Sequence, residues 1–76
     1  MSAPCVLKAL DETGDTELTW DPDKADEVDA ARAMWNRLVG EKKYLAYRID
    51  GKERTKIREF HPKATKIVLT PQLVGG

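Results

Sequence analysis

The sequence predicts an α+β fold, ββαβββ in order, with one helix packed on a mixed sheet, and three observations predict it. A helix is marked at both ends between residues 21 and 40. Short apolar or alternating segments stand on either side of it, and glycine-bearing turn signals divide them. A five-stranded sheet with one apolar face covered by a single helix is an economical two-layer solution for a chain of 76 residues.

The elements follow in order. Residues 5–10, "CVLKAL", are apolar at most positions, and residues 16–20, "TELTW", alternate Thr16, Leu18 and Trp20 against Glu17 and Thr19. Between them "DETGD" supplies Gly14 for a loop of about three to five residues, which predicts a β-hairpin. In the helix, Asp21 is expected to cap the N-terminus, Pro22 to occupy the first helical position and Gly40 to provide a left-handed exit. Val28, Ala31, Trp35 and Leu38 recur at steps of three and four, so they form one stripe with Met34 and Val39 at its margin. Acidic residues crowd the front of this segment and Arg32, Arg37, Lys42 and Lys43 follow, which complements the helix dipole.

After the helix, "YLAYRID" alternates Leu45, Tyr47 and Ile49 against Tyr44, Ala46 and Arg48, and "DGK" at 50–52 signals a tight turn. "RTKIREF" is expected to return as a strand with a bulge or twist, because Ile57 and Phe60 are oddly spaced. "HPKAT" breaks it, and "KIVLT" at 66–70 is a last apolar strand ended by Pro71, which has no N–H to offer a ladder.

Composition narrows the function classes. Thirteen basic and thirteen acidic side chains cancel, which disfavours binding nucleic acid or an anionic membrane by bulk charge. A single cysteine, Cys5, cannot staple the fold, and no apolar run reaches transmembrane length, so a cytoplasmic domain is expected. Cys5 sits in the first apolar run and reads as a small buried hydrophobe rather than a nucleophile. His61, the one histidine, has no cysteine or acidic cluster at ligand spacing, so no metal site is expected.

The sequence ends "TPQLVGG". Glycine loses more conformational entropy on ordering than other residues and packs nothing, so Gly75 and Gly76 call for a reason outside the core. Two glycines at a fixed pair of positions arise by chance about once in 200 chains. The motif gains weight from the strand directly upstream and the capped helix between hairpins.

The order of elements along the whole chain, with "VLKALDETGDTELTW" before a capped helix and "KIVLTPQLVGG" at the end, resembles the ubiquitin-like β-grasp family, and its ending is similar to that of the sulfur-carrier proteins. Those carriers usually place a Gly-Asp turn before the final strand, where this sequence has "HPKAT". The resemblance implies a β-grasp domain over 1–70 and an extended tail over 71–76. It further implies that a ubiquitin-activating-type enzyme uses ATP to adenylate the carboxylate of Gly76, after which the terminus carries sulfur as a thiocarboxylate or is joined to an amine. Gly75 and Gly76 would form the activation and conjugation tip, and Leu73 and Val74 an apolar handle for docking the tail. The chain itself would be no enzyme and hold no cofactor. Its partners would be the activating enzyme and a sulfur acceptor or protein targets, and it would be monomeric when free. The competing reading is a β-grasp module that is never conjugated, such as a phage assembly or adaptor protein.

One further surface is expected. In "GKERTKIREFHPKATK", Lys56 and Arg58 would face solvent together with Phe60 nearby, a basic patch containing an aromatic. It reads as a solvated strand face or as a recognition surface for an acidic partner before it reads as a nucleic-acid groove.

Overall fold

The computed structural model describes residues 4–11 and 14–71. Five strands and one helix appear in the expected order: β1 (Cys5–Asp11), β2 (Gly14–Trp20), α1 (Ala25–Trp35), β3 (Leu45–Asp50), β4 (Glu53–Ile57) and β5 (Lys66–Thr70). The strands form one mixed sheet in the spatial order β2-β1-β5-β3-β4. β1 and β5 run parallel, and the remaining neighbours are antiparallel. The last strand in the chain therefore lies in the middle of the sheet.

The core sits between one sheet face and the helix. Register places Leu7, Ile67 and Leu69 on that face beside Ala9 and Ala46, and all five are buried. The helix stripe meets them as its spacing predicts: Ala31, Trp35 and Leu38 are buried, while Val28, Met34 and Val39 pack at the margin. Trp20 closes one end of this layer and is 1 % exposed.

Both ends of the helix differ from expectation. Helix α1 begins at Ala25 with Lys24 as its cap residue, and no side chain caps it. Asp21 instead organises a turn ahead of the helix. Its Oδ1 accepts the Asp23 N–H at 2.9 Å, and its carbonyl accepts the Lys24 N–H at 3.0 Å. Pro22 thus stands inside this turn rather than at the first helical position, a placement its fixed φ suits equally well. Glu27 reaches back from the first turn, its Oε1 accepting the Asp21 N–H at 2.9 Å.

At the other end the helix widens into a π-helical stretch, Asn36–Glu41, in which Gly40 is an ordinary member. The left-handed exit falls three residues later, on Lys43 with φ 59°. A π turn uses more residues for the same rise, so Leu38 stays buried while the exit slides forward.

The hairpins also carry corrections. Pairing in the first runs to Asp11 and Gly14, so Gly14 opens β2 instead of sitting within a longer loop. In the second, Gly51 takes φ 60° between the paired residues Asp50 and Glu53, as the "DGK" signal predicts. β4 stops at Ile57 without a bulge, and the chain bends away at Arg58 and Glu59. That bend resolves the odd spacing of Ile57 and Phe60 by leaving the sheet.

Candidate functional site

The four tail residues singled out from the sequence, Leu73, Val74, Gly75 and Gly76, lie outside the described residues. What the structure shows is the point from which they depart. β5 is hydrogen-bonded on both sides, to β1 and β3, until Thr70 pairs with Leu45, and the next residue, Pro71, is exposed. A proline there ends the ladder because it has no N–H to donate. β5 thus ends at the centre of the sheet, on the side where the π segment hands over to β3.

A cleft of about 190 Å³ opens at this same end, between the π segment and the sheet. Ala9, Met34 and Leu38 contribute apolar surface, Thr16 and Tyr44 contribute hydroxyls, and Arg37 and Lys42 bring two cations. Residues five apart in an ordinary α-helix stand roughly 140° apart around the axis. The wider turn brings Lys42 above Arg37, whose carbonyl accepts the Lys42 N–H at 3.3 Å. Neither cation has an ion-pair partner among the described residues. The arrangement can hold an anionic group by charge.

The structure divides the trio Lys56, Arg58 and Phe60. Phe60 faces the helix side, with its ring 5.4 Å from that of Trp20 and 6.0 Å from that of Trp35. The Arg32 guanidinium lies over it at 5.8 Å. Lys56 points to the opposite face of the sheet, paired with Tyr47, and Arg58 is exposed in the bend between them. Phe60 is partly buried and packs against the core from the segment after β4, so these three side chains form no single patch.

Cys5 and His61 take structural places. Cys5 is buried, its Sγ 3.9 Å from the Pro62 carbonyl, and burial together with the nearby Asp21 carboxylate pushes its thiol pKa up. A raised pKa keeps the thiol protonated and unreactive. His61 lies in the turn that Ala64 closes by donating its N–H to the His61 carbonyl. Among the described residues no group of three or more His, Cys, Asp or Glu side chains is placed to hold a metal, and no helix is long and apolar enough to cross a membrane.

The feature that sequence reasoning missed is the sheet face turned away from the helix. On β3 it is Ala46 and Arg48 that face the helix side, with Tyr44 just ahead of the strand packed against the core, which leaves Leu45, Tyr47 and Ile49 on the outside. Val6 and Leu10 of β1 and Val68 of β5 join them, all partly exposed. An apolar stripe therefore runs across β1, β5 and β3, with Glu17 and Asp15 on the β2 edge and Lys56 and Arg54 on the β4 edge. The signal in the sequence was the alternation of β3, which puts Leu45, Tyr47 and Ile49 on one face whichever side the strand turns to the helix.

No protein-family model, no curated protein and no solved structure matches this chain.

Proposed function

We propose that the chain is a ubiquitin-like carrier of the β-grasp type whose C-terminal Gly76 is activated by a partner enzyme. The observation that carries the reading is the position of β5. The strand is held in the middle of a sheet packed on one helix, and its pairing ends at Thr70 with Pro71 next, ahead of the residues that end Gly75-Gly76 in the sequence. A terminus presented this way has a rigid base and a tip without Cβ atoms, which suits entry into a narrow nucleotide site.

The chemistry follows from the carboxylate. It is a poor electrophile, since its charge repels nucleophiles and an oxide is a poor leaving group. In the partner's site a carboxylate oxygen of Gly76 attacks the α-phosphorus of ATP, and pyrophosphate leaves. A sulfur nucleophile at the sulfide level then attacks the carbonyl carbon and expels AMP, giving a thiocarboxylate. An amine nucleophile gives an amide by the same displacement, losing its proton to a base of the partner. This chain contributes the terminus and the surfaces that dock it: Leu73 and Val74 as the handle, and the cleft with Arg37 and Lys42 beside the exit. Its own side chains move no proton.

A second reading, a β-grasp interaction module that is never conjugated, draws support from the uncovered apolar sheet face, which would serve binding whether or not the tail reacts. Intact-mass measurement on protein isolated from its native cell separates the two. The carrier reading expects an oxygen-to-sulfur exchange at the terminus or larger conjugates, and both should vanish when Gly75 and Gly76 are deleted while the far-ultraviolet spectrum and melting curve stay unchanged. An unmodified terminus in every fraction, with full function retained after the deletion, rejects it in favour of the module.

A further inference from the structure

We infer that the sheet face turned away from the helix is a self-complementary surface that takes a second copy of this chain. The inference does not depend on the tail, and it revises the expectation that the free protein is a monomer. It rests on how the register lays out that face. One row across the sheet reads Glu17, Lys8, Val68, Tyr47, Lys56. The row below reads Thr19, Val6, Lys66, Ile49, Arg54, and above the first row Asp15 pairs with Leu10 and Thr70 with Leu45.

Let two copies meet face to face, related by a two-fold axis that runs parallel to the strands and passes over β5. Because this axis reverses the strand order, the acidic β2 edge of one copy lies over the basic β4 edge of the other. Glu17 then stands opposite Lys56 of the second copy, and the contact occurs twice. Val68 meets its own equivalent on the axis. Val6 lies over Ile49, and Leu10 over Leu45, so apolar residues cover apolar residues on either side of the axis, while on the axis Thr70 also meets itself. Lys8 comes over Tyr47, whose ring already carries the Arg54 guanidinium 4.8 Å from its centroid, so Lys8 keeps its own ion pair with Asp15 at 3.5 Å. Like charges meet where Lys66 faces itself and where Lys8 nears Arg54, and their long stems let the cationic groups part toward solvent. An axis perpendicular to the strands would instead stack each edge on its own kind, acid on acid and base on base, so charge selects the first arrangement.

The size of the face sets the strength. Five strands about 4.8 Å apart give a face roughly 24 Å wide, and about five residues at roughly 3.3 Å each make it roughly 17 Å long, an area of about 400 Å². That is smaller than the roughly 800 Å² per partner of a standard stable interface, so the dimer is weak and its population depends on concentration.

Sedimentation equilibrium on the full chain, from about ten micromolar to about one millimolar at low salt, should show average mass rising toward twice the monomer as concentration rises. Glu17→Lys and Lys56→Glu should each raise the dissociation constant at least about tenfold, the factor that losing close charge pairs costs. Both sites are exposed on edge strands, so the fold should survive, and circular dichroism checks this. An equal mixture of the two single variants restores both charge pairs across the interface, so it should recover the association that each lost alone. A monomer at every concentration would overturn the inference and leave the face to a different protein. So would charge reversals that change nothing, or a mixture of variants that fails to associate.

Discussion

The indole Nε1–H of Trp20 donates a 2.9 Å hydrogen bond to the carbonyl oxygen of Pro62, a residue 42 positions further along the chain. The same carbonyl receives the Cys5 thiol at 3.9 Å. One backbone oxygen in the "HPKAT" segment thus ties the loop after β4 to the start of β1 and the end of β2. The residues that break the strand pattern in the sequence are the ones that close this end of the core, and Ala64 among them is fully buried.

Trp20→Phe keeps an aromatic ring in the core and removes the donor. The Pro62 carbonyl is then left with the weak thiol contact alone. Stability is expected to fall by about 1–3 kcal/mol, the usual cost of a buried acceptor losing its partner. Urea unfolding should show a lower midpoint with an unchanged slope.

Phe60 and Lys56 are expected to respond in opposite ways. Phe60 fills the space against Trp20 and Trp35, so Phe60→Ala should cost about 2–3 kcal/mol, toward the low end for a large aromatic because the ring is only partly buried. Lys56→Ala, on the exposed face, should stay within about 0.5 kcal/mol of the parent. Equal effects from the two substitutions would contradict the placement of Phe60 in the core.

The Cys5 thiol should resist modification by Ellman's reagent at neutral pH and react fully once denaturant unfolds the chain. Its raised pKa also carries a sign. The folded state holds the thiol proton more tightly than the unfolded state does, so the stabilisation is complete below the ordinary thiol pKa and is lost as pH rises through the folded value. Stability should therefore decline on the alkaline side, and Cys5→Ala should remove that part of the decline. A midpoint that rises with alkaline pH would refute the burial argument.

Three substitutions test the backbone of the helix exit and the second hairpin. A Cβ placed on Gly40 meets nothing within 4 Å, and its φ is unexceptional, so Gly40→Ala should stabilise by about 0.4–1 kcal/mol. Lys43 holds the left-handed conformation that its Cβ disfavours, so Lys43→Gly should relieve about 1 kcal/mol of strain. Gly51→Ala should go the other way, costing about 1–2 kcal/mol at φ 60°. Thermal melts rank all three, and a stabilising Gly51→Ala would show that the turn is not the left-handed one described.

Much of the fold was legible because it depends on local pattern. The apolar stripe Val28, Ala31, Trp35, Leu38 could be read as a helix face, and "KIVLT" as a strand, from periodicity alone. The ends of the helix were less legible because several residues could satisfy the same local demand. Asp21 is as good an Asx-turn residue as an N-cap, and a glycine at position 40 tolerates a π turn as readily as a left-handed exit. Phe60 was misplaced for a different reason: alternation carries no information once a strand has stopped, and only the three-dimensional course after Ile57 turns that ring toward Trp20.

From the sequence by itself came the order of elements, the helix stripe, the turn at Asp50-Gly51 and the diglycine ending, since each is written in neighbours along the chain. The tertiary structure alone decided that β5 inserts between β1 and β3, that Ala46 and Arg48 of β3 face the helix side while Leu45, Tyr47 and Ile49 do not, and that a stripe of apolar residues with acid at one edge and base at the other is left outside. Those are relations between residues far apart in sequence. They are set by which faces can be buried together, a choice the chain makes only when its strands meet.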